Sequence, residues 1–294
     1  MHSQPKISII TPLYNKQVTI KRLYNSIVKQ TVFEQLEWII VDDGSTDDSV
    51  NVIKSAVDEC SPNVKVYSTS NNGKHKAILF GLQKSMSNYI IIIDADDYLS
   101  KVNAIELLFK NLNALSEERC AGLIFPYKDL DGKYLGNKIK GGAMYPLVAQ
   151  LKLTGDKGRL FDKTRLDTNL LNGFDDEKFF PELIFWLSGS PDDYFYGVDD
   201  ALVCVEYLPT GLSANYSSLI FNSPKGIGLL LNLLWSRCSL SWQLLRYTYR
   251  HIYSYDKNKL SLLLSSSGKS FKFILCLVLL TLPIYKVLFK LLKS

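Results

Sequence analysis

The sequence predicts an α/β domain built on a mostly parallel sheet with helices on both faces. Strand and helix patterns alternate at short spacing from residue 6 to about residue 127. The strand segments are near-continuously apolar, as strands buried on both faces of a sheet are. Polar residues gather where those strands end, which is where open parallel sheets bind ligands.

The elements follow in order. KISIITPL (6–13) is a β-branched strand that its proline is expected to stop, and QVTIKRLYNSIVKQT follows as a helix with Ile20, Leu23, Tyr24, Ile27 and Val28 at helical spacing. EWIIVDD (37–43) is a second strand. STDDSVNVIKSAVDE is a second helix, with Ser45 and Asp48 spaced as a capping box. VKVYSTS, GKHKAILFGLQKSM, NYIIIID, KVNAIELLFKNLNAL and AGLIFPY (121–127) then read strand, helix, strand, helix, strand. After residue 128 the alternation fails: DLDGKYLGNKIKGG is turn-rich, a helix is expected from Pro181, and from residue 226 the chain is Leu-rich and helical.

The 294 residues, 47% hydrophobic, suffice for one large domain or a domain plus an appendage. Net charge is +5, unevenly spread. Residues 225–294 hold 11 Lys/Arg and one acid, leaving 23 basic and 28 acidic residues in 1–224. A basic, Leu-rich tail suits an anionic membrane surface, and no nucleic-acid motif accompanies it. FILCLVLLTLPIY is too short to span a bilayer by itself, although Lys286 and Lys290 could snorkel; Pro283 would kink it. With Trp235, Trp242, Tyr247, Tyr249, Tyr253 and Tyr255 it predicts peripheral or monotopic contact at the cytoplasmic membrane face. Five scattered cysteines form no CxxC or Cys/His cluster, which argues against zinc and a disulfide framework and for a reducing cytoplasm. No apolar segment of signal-peptide kind precedes the first strand.

IIIIDADDYL (90–99) ends a strand in Asp94, Asp96 and Asp97. Such carboxylates suit a hard divalent cation, Mg2+ or Mn2+, which keeps waters and takes phosphate oxygens. Neither GxGxxG nor GxxxxGK[ST] occurs, so bound phosphates would be neutralised chiefly by the metal. A lone Asp-x-Asp is a weak signal, because Asp is also an ordinary turn and cap residue. The other strand ends give it weight: Pro12 and Tyr14-Asn15, Asp42-Asp43, and Asn71-Asn72.

ISIITPLYNK, WIIVDDGSTDDS, NNGKHKA and IIIIDADDYL, in that order, resemble the family 2 glycosyltransferases, inverting enzymes of the GT-A (Rossmann-like) fold. The resemblance covers about residues 6–127, and DDEKFFPELIFW…VEYLPTGLSANYSSLIFNSPKG is similar to a bacterial polysaccharide-biosynthesis subgroup. It implies a nucleotide-sugar-binding half over 1–128 and an acceptor-binding half over 129–224 of one catalytic domain; beyond about residue 226 the resemblance fades, and the basic, Leu-rich composition alone predicts the helical, membrane-associating tail over 225–294. Asp42 would bond the nucleobase, Pro12 and Tyr14 would line the base and ribose pocket, Asp94 would approach ribose or sugar, and Asp96 would ligate the metal. Asp43 is expected in a turn or supporting role, and Asp97 as a cap for the next helix. Lys74, His75, Asp156 and Trp186 are possible donor or acceptor contacts.

An inverting transfer needs a carboxylate to take the acceptor proton. The family's usual Glu-Asp is missing, and Glu182 in FFPELIFW is the nearest equivalent, expected just inside a helix and partly buried among Phe179, Phe180, Phe185 and Trp186. Asp192-Asp193 and Asp199-Asp200 are its rivals. The implied activity is transfer from a nucleotide-diphosphate sugar, UDP-linked by preference, to a saccharide or lipid-linked acceptor in cell-surface polysaccharide or lipopolysaccharide assembly. The alternatives are a nucleotidyltransferase on a similar sheet and a non-catalytic sugar-nucleotide-binding membrane scaffold.

Overall fold

The computed structural model describes residues 6–57, 63–206, 216–237, 248, 255 and 257–265. The chain forms two units: Met1–Asn172 with Ser188–Gly211, and Gly173–Leu187 with Leu212–Ser294.

The first unit is built on a ten-stranded sheet in the order β3-β2-β1-β4-β8-β6-β10-β5, with β9 pairing β6 and β7. The strands are β1 (Ile7–Leu13), β2 (Leu36–Asp42), β3 (Val64–Ser68), β4 (Tyr89–Ile92), β5 (Tyr98–Leu99), β6 (Cys120–Lys128), β7 (Met144–Pro146), β8 (Lys157–Asp162), β9 (Tyr194–Gly197) and β10 (Val203–Cys204). β1 pairs in parallel with β2 and β4, and β2 with β3. β8 runs antiparallel to both β4 and β6, so β6 and its parallel partners β9 and β10 share the direction of β1 to β4. β5 and β7 run the other way. The chain winds outward from β1 to β3 and then returns to place β4 on the other side of β1. The carboxyl ends of β1 and β4 therefore flank the topological switch point.

The sheet is buried because its strands are apolar on both faces. Every residue of β1 and β2 is buried, and Ile9, Leu13, Trp38, Ile40 and Ile91 join one core with Leu23 and Ile27 of α1 (Ile20–Val28). Buried polar groups there are paired. Trp38 Nε1 donates to Thr11 Oγ1 at 3.0 Å. Burial pushes the Glu37 carboxyl up, but the Lys65 ammonium, the Met86 N–H and the Ser8 hydroxyl outweigh it and hold Glu37 below its usual value.

Pro12 does not stop β1; it pairs opposite Val41 inside the strand. The Ile10 carbonyl faces β4, accepting from Ile93 N at 3.0 Å, so position 12 faces the same way. The β4 pairing has ended at Ile92, so no ladder bond misses the proline's absent N–H. The capping box also does not form. α2 (Ser49–Ala56) starts later, Ser45 Oγ accepts from Asn15 N, and Asp47 Oδ1 receives Ser49 N instead. α3 (Lys74–Lys84), α4 (Ala104–Lys110) and the short α5 (Thr168–Leu171) complete this unit's α-helices among the described residues.

In the second unit α6 (Leu183–Leu187), α7 (Tyr216–Phe221), α8 (Pro224–Arg237) and α9 (Lys257–Ser265) are described. α8 buries Ile227, Leu230, Leu231 and Leu234. Its start is capped by the buried Glu177, which accepts Lys225 N at 2.7 Å and Gly226 N at 2.8 Å. No helix of the described residues is long and apolar enough to cross a membrane. The stretch FILCLVLLTLPIY with Lys286 and Lys290, and Trp242, Tyr247, Tyr249 and Tyr253, lie outside the described residues. Tyr255 does not face outward: it is buried, and its hydroxyl donates to the Ile220 carbonyl at 2.5 Å.

Candidate active site

Two loops are stitched together at the carboxyl edge. Asn15, at φ 51°, follows β1, and its Oδ1 accepts Thr46 N at 2.8 Å. Lys16 N donates to Ser49 Oγ at 2.7 Å. The turn after β1 is thus fixed to the loop after β2, with Tyr14 left 44% exposed and Pro12 buried.

Asp42 and Asp43 end β2 in different roles. Asp42 is 4% exposed; its Oδ1 accepts Ser45 N at 3.0 Å, and no described residue donates to its Oδ2. Asp43 accepts Asn72 N at 2.8 Å and Gly73 N at 2.9 Å, clamping the turn into α3. Both turn glycines are required by backbone shape. Gly73 has φ 100°, and Gly44 has φ 72° with Asn71 N only 2.9 Å from where a Cβ would stand. α3 then projects Lys74, whose Nζ lies 2.7 Å from Asp94 Oδ2, while His75 is 3% exposed.

After β4 the chain turns, with Asp97 N donating to the Asp94 carbonyl at 3.0 Å. Thr19 Oγ1 donates to Ala95 O at 2.9 Å and Arg22 Nη2 to Asp96 O at 2.6 Å, so helix α1 holds the turn's backbone. Lys16 Nζ lies 2.5 Å from Asp96 Oδ2. Arg22 also pairs with Glu206 at 2.7 Å and stacks over Tyr98. Asp97 caps no helix: α4 begins at Ala104 behind Asn103. Its carboxyl is buried, and burial first, then the Asp94 and Asp96 carboxylates, raise its pKa to about 9 against the opposing Lys74 ammonium and Glu206 N–H.

β8 runs against β4 and so starts at the same edge, placing Asp156 there, exposed. The buried Lys157 anchors that loop; its ammonium donates to the carbonyls of Leu135 and Thr154, both at 2.7 Å, and of Gly155 and Asp156. Asp192 and Asp193 precede β9 and lie at the opposite, amino edge of the sheet. Asp193 is committed to Arg165 at 3.0 Å, and Asp200 to Lys101 at 2.5 Å.

Glu182 and Trp186 belong to the second unit. α6 is only five residues long and starts after Glu182, with Phe185 N donating to the Glu182 carbonyl at 2.9 Å. Glu182 is exposed, not partly buried; Phe180 and Phe185 turn inward and stack edge-to-face on each other.

The described residues bring carboxylates from β2, β4 and the β8 loop, and lysines from the β1 turn and α3, to one edge. Lys16, Arg22 and Lys157 carry no signal of this in sequence, since an acidic or carbonyl partner of each lies far along the chain until the strands are paired. No three His, Cys, Asp or Glu side chains among the described residues form a ready cation cage. The donor set is two part-exposed carboxylates, 38% and 18% for Asp94 and Asp96, with oxygen atoms only. That fits a hard cation that brings its own waters and shares phosphate oxygens.

The sequence pattern of glycosyl transferase family 2 matches residues 8–160. An uncharacterized glycosyltransferase of Haemophilus influenzae is 32% identical over 139 residues, 47% of this chain and 52% of that protein. The poly(ribitol-phosphate) beta-N-acetylglucosaminyltransferase TarS of Staphylococcus aureus is 27% identical over 129 residues, 44% of this chain and 22% of that protein. The chain thus spans about half the length of the first of these relatives and less of the second. The crystal structure of TarS 1–349 with UDP-GlcNAc superposes with a TM-score of 0.59 at 19% identity, covering 87% of this chain and 75% of that one. The mannosyltransferase PcManGT of Pyrobaculum calidifontis, solved with GDP-Man and Mn2+, gives 0.54 at 16% identity, covering 95% and 81%. At these identities the solved structures show a shared fold, the GT-A α/β sheet. The family pattern spans both loops and the acidic turn of the candidate site: this chain belongs to glycosyl transferase family 2.

Proposed function

We propose that the chain transfers a sugar, with inversion, from a UDP-linked donor to a saccharide or lipid-linked acceptor in cell-surface polysaccharide assembly. The observation that carries this is the Asp94–Asp97 turn at the switch point, with Asp42, Lys74 and Asp156 at the same edge. TarS, solved with UDP-GlcNAc, and PcManGT, solved with GDP-Man, support a nucleotide-sugar donor, and TarS the UDP-linked kind. In this reading Asp42 Oδ2 accepts a nucleobase N–H, and Pro12 and Tyr14 border the base and ribose. Asp96 holds Mg2+ or Mn2+ and Asp94 the ribose or sugar side. Bound there, the cation neutralises the leaving diphosphate. The donor contact expected of the buried His75 passes to Lys74, and Asp156 meets the donor or acceptor sugar. Glu182 takes the proton of the acceptor hydroxyl while the hydroxyl oxygen bonds to the anomeric carbon and the bond from that carbon to the diphosphate breaks. Trp186 offers an aromatic face to the acceptor. In functional terms residues 1–128 serve the donor and 129–224 the acceptor. The basic residues of 225–294 draw the chain to the inner membrane face as a peripheral or monotopic protein.

A nucleotidyltransferase gains no support, because the turn after β1 is Tyr14-Asn15-Lys16 with no glycine-rich cradle for a triphosphate. Calorimetry of UDP binding with and without Mn2+ tests the reading. Wild type should bind more tightly with Mn2+, and Asp96→Asn should lose that gain at an unchanged melting temperature. Equal, metal-independent affinity in both proteins would reject the metal role. A protein that binds UDP–Mn2+ but never hydrolyses or transfers any donor would be the non-catalytic scaffold instead.

A further inference from the structure

Lys16 is held at its backbone by hydrogen bonds and at its tip by an ion pair. Its N–H donates to Ser49 Oγ at 2.7 Å, and its carbonyl accepts Thr19 N and Ile20 N, both at 3.0 Å. The backbone that carries the carboxylate it faces is likewise held, because Arg22 donates to Asp96 O and Thr19 to Ala95 O. Between these backbone anchors only the two side chains, the lysine's four-carbon stem and the shorter one of Asp96, are left to turn. Asp96 Oδ2, at 2.5 Å, is the one partner of Nζ among the described residues, and both side chains are part-exposed, 23% and 18%. Lys74 faces Asp94 in the same way from α3.

We propose that Lys16 is an exchangeable counter-ion of the site: it neutralises Asp96 when no divalent cation is bound, and turns to the donor's diphosphate oxygens when the cation takes that carboxylate. The proposal rests on the donor and metal reading above and adds the residue that couples the two ligands. The two lysine–aspartate pairs balance in charge by themselves. A divalent cation arriving alone must displace an ammonium and leaves excess positive charge. A diphosphate arriving alone meets lysines already engaged by carboxylates. Arriving together, the cation takes carboxylate oxygens, the ammonium takes phosphate oxygens, and balance is restored. Cation and nucleotide should therefore strengthen each other's binding by equal factors, as linkage requires.

The test is Mn2+ affinity of the full chain, read by electron paramagnetic resonance of free Mn2+, without and with saturating UDP, with Mn2+–UDP complexation in buffer subtracted. In Lys16→Gln, Mn2+ alone should bind about five- to tenfold more tightly than in wild type, and UDP should enhance it by a correspondingly smaller factor. Lys16→Arg keeps the charge and should behave like wild type, which separates the charge from lost packing. Melting temperatures of both variants report folding. If Lys16→Gln leaves Mn2+ affinity and its enhancement by UDP unchanged while wild type binds both ligands, the Lys16 assignment is wrong and the transferase reading stands. If wild type binds Mn2+ neither with nor without UDP, both fall together.

Discussion

At the scale of single residues, adjacent aspartates differ by environment alone. Asp43 is saturated by two backbone N–H groups and fixes a turn, whereas Asp42 keeps one oxygen unengaged by any described residue. Asp42→Ala should weaken UDP binding by roughly 1.5–3 kcal/mol while the Mn2+ requirement persists, the cost of a lost bond between a carboxylate and a neutral donor. Titration calorimetry reads both, and an unchanged UDP affinity would remove Asp42 from the base site. Asp97 sits under Asp94 and Asp96 with its folded pKa raised to about 9, well above its unfolded value. Below the unfolded pKa both states carry the proton, so folding incurs no penalty. As pH rises from about 4 toward 9 the unfolded chain releases the proton first, and stability falls across that window. Asp97→Asn removes this dependence and can still accept the Glu206 N–H. Without metal, it should therefore gain stability over wild type progressively from pH 4 to 9, by on the order of a few kcal/mol at the upper end. Chemical denaturation at several pH values checks this; a constant difference would mean that Asp97 is ionised in the fold.

At the scale of elements, loop ends and helix starts carry the chemistry, and each has a local cause. β1 runs through Pro12 because β4 has already ended beside it. α3 starts where it does because Gly73 adopts φ 100° and Asp43 holds its N–H, which aims Lys74 at Asp94. α6 is a contrasting case. Five residues give a weak dipole, and Glu182 stands just outside them, exposed. A purely dipolar role for Glu182 would thus be worth little, at most about 0.3–1 kcal/mol. If it is the base, Glu182→Gln should slow turnover on the order of 10²–10⁴-fold with donor affinity and melting temperature unchanged. Near-normal turnover would move the base to Asp199, the exposed member of the rival pairs left at neither the amino edge nor in a lysine pair.

At the scale of the whole molecule, the strand order 3-2-1-4 makes one crevice, and the acidic turn falls in it. Nucleotide selectivity is a property of that whole edge. In a thermal-shift screen, UDP-sugars with Mn2+ at about a hundredfold excess over Kd should stabilise the protein by about 2.7 kcal/mol relative to ligand-free protein, and GDP-sugars at the same concentration by less. A larger shift with GDP-sugars would reverse the donor assignment. The two units are not contiguous in sequence. Gly173–Leu187 leaves the first unit and folds with the C-terminal helices, and Ser188–Gly211 returns to the sheet. No composition shift marks either crossing.

The parallel α/β core is legible in the residue pattern, because strands buried on both faces must be apolar throughout, and that pattern is local. The acidic strand ends are legible there too, since Asp42, Asp43, Asp94 and Asp96 follow directly on the runs that position them. What those carboxylates meet depends on how the strands and loops pack. Lys16 and Asp96 are eighty positions apart in sequence, as are Ser45 and Asn15 by thirty, and strand pairing alone makes them neighbours. Burial likewise set Asp97 apart: its carboxyl is turned inward beside the Asp94 and Asp96 carboxylates, and lost water together with those two charges raises its proton affinity. Ionisation depends on the sum of all nearby charges and lost water, and that sum exists only once distant segments have packed.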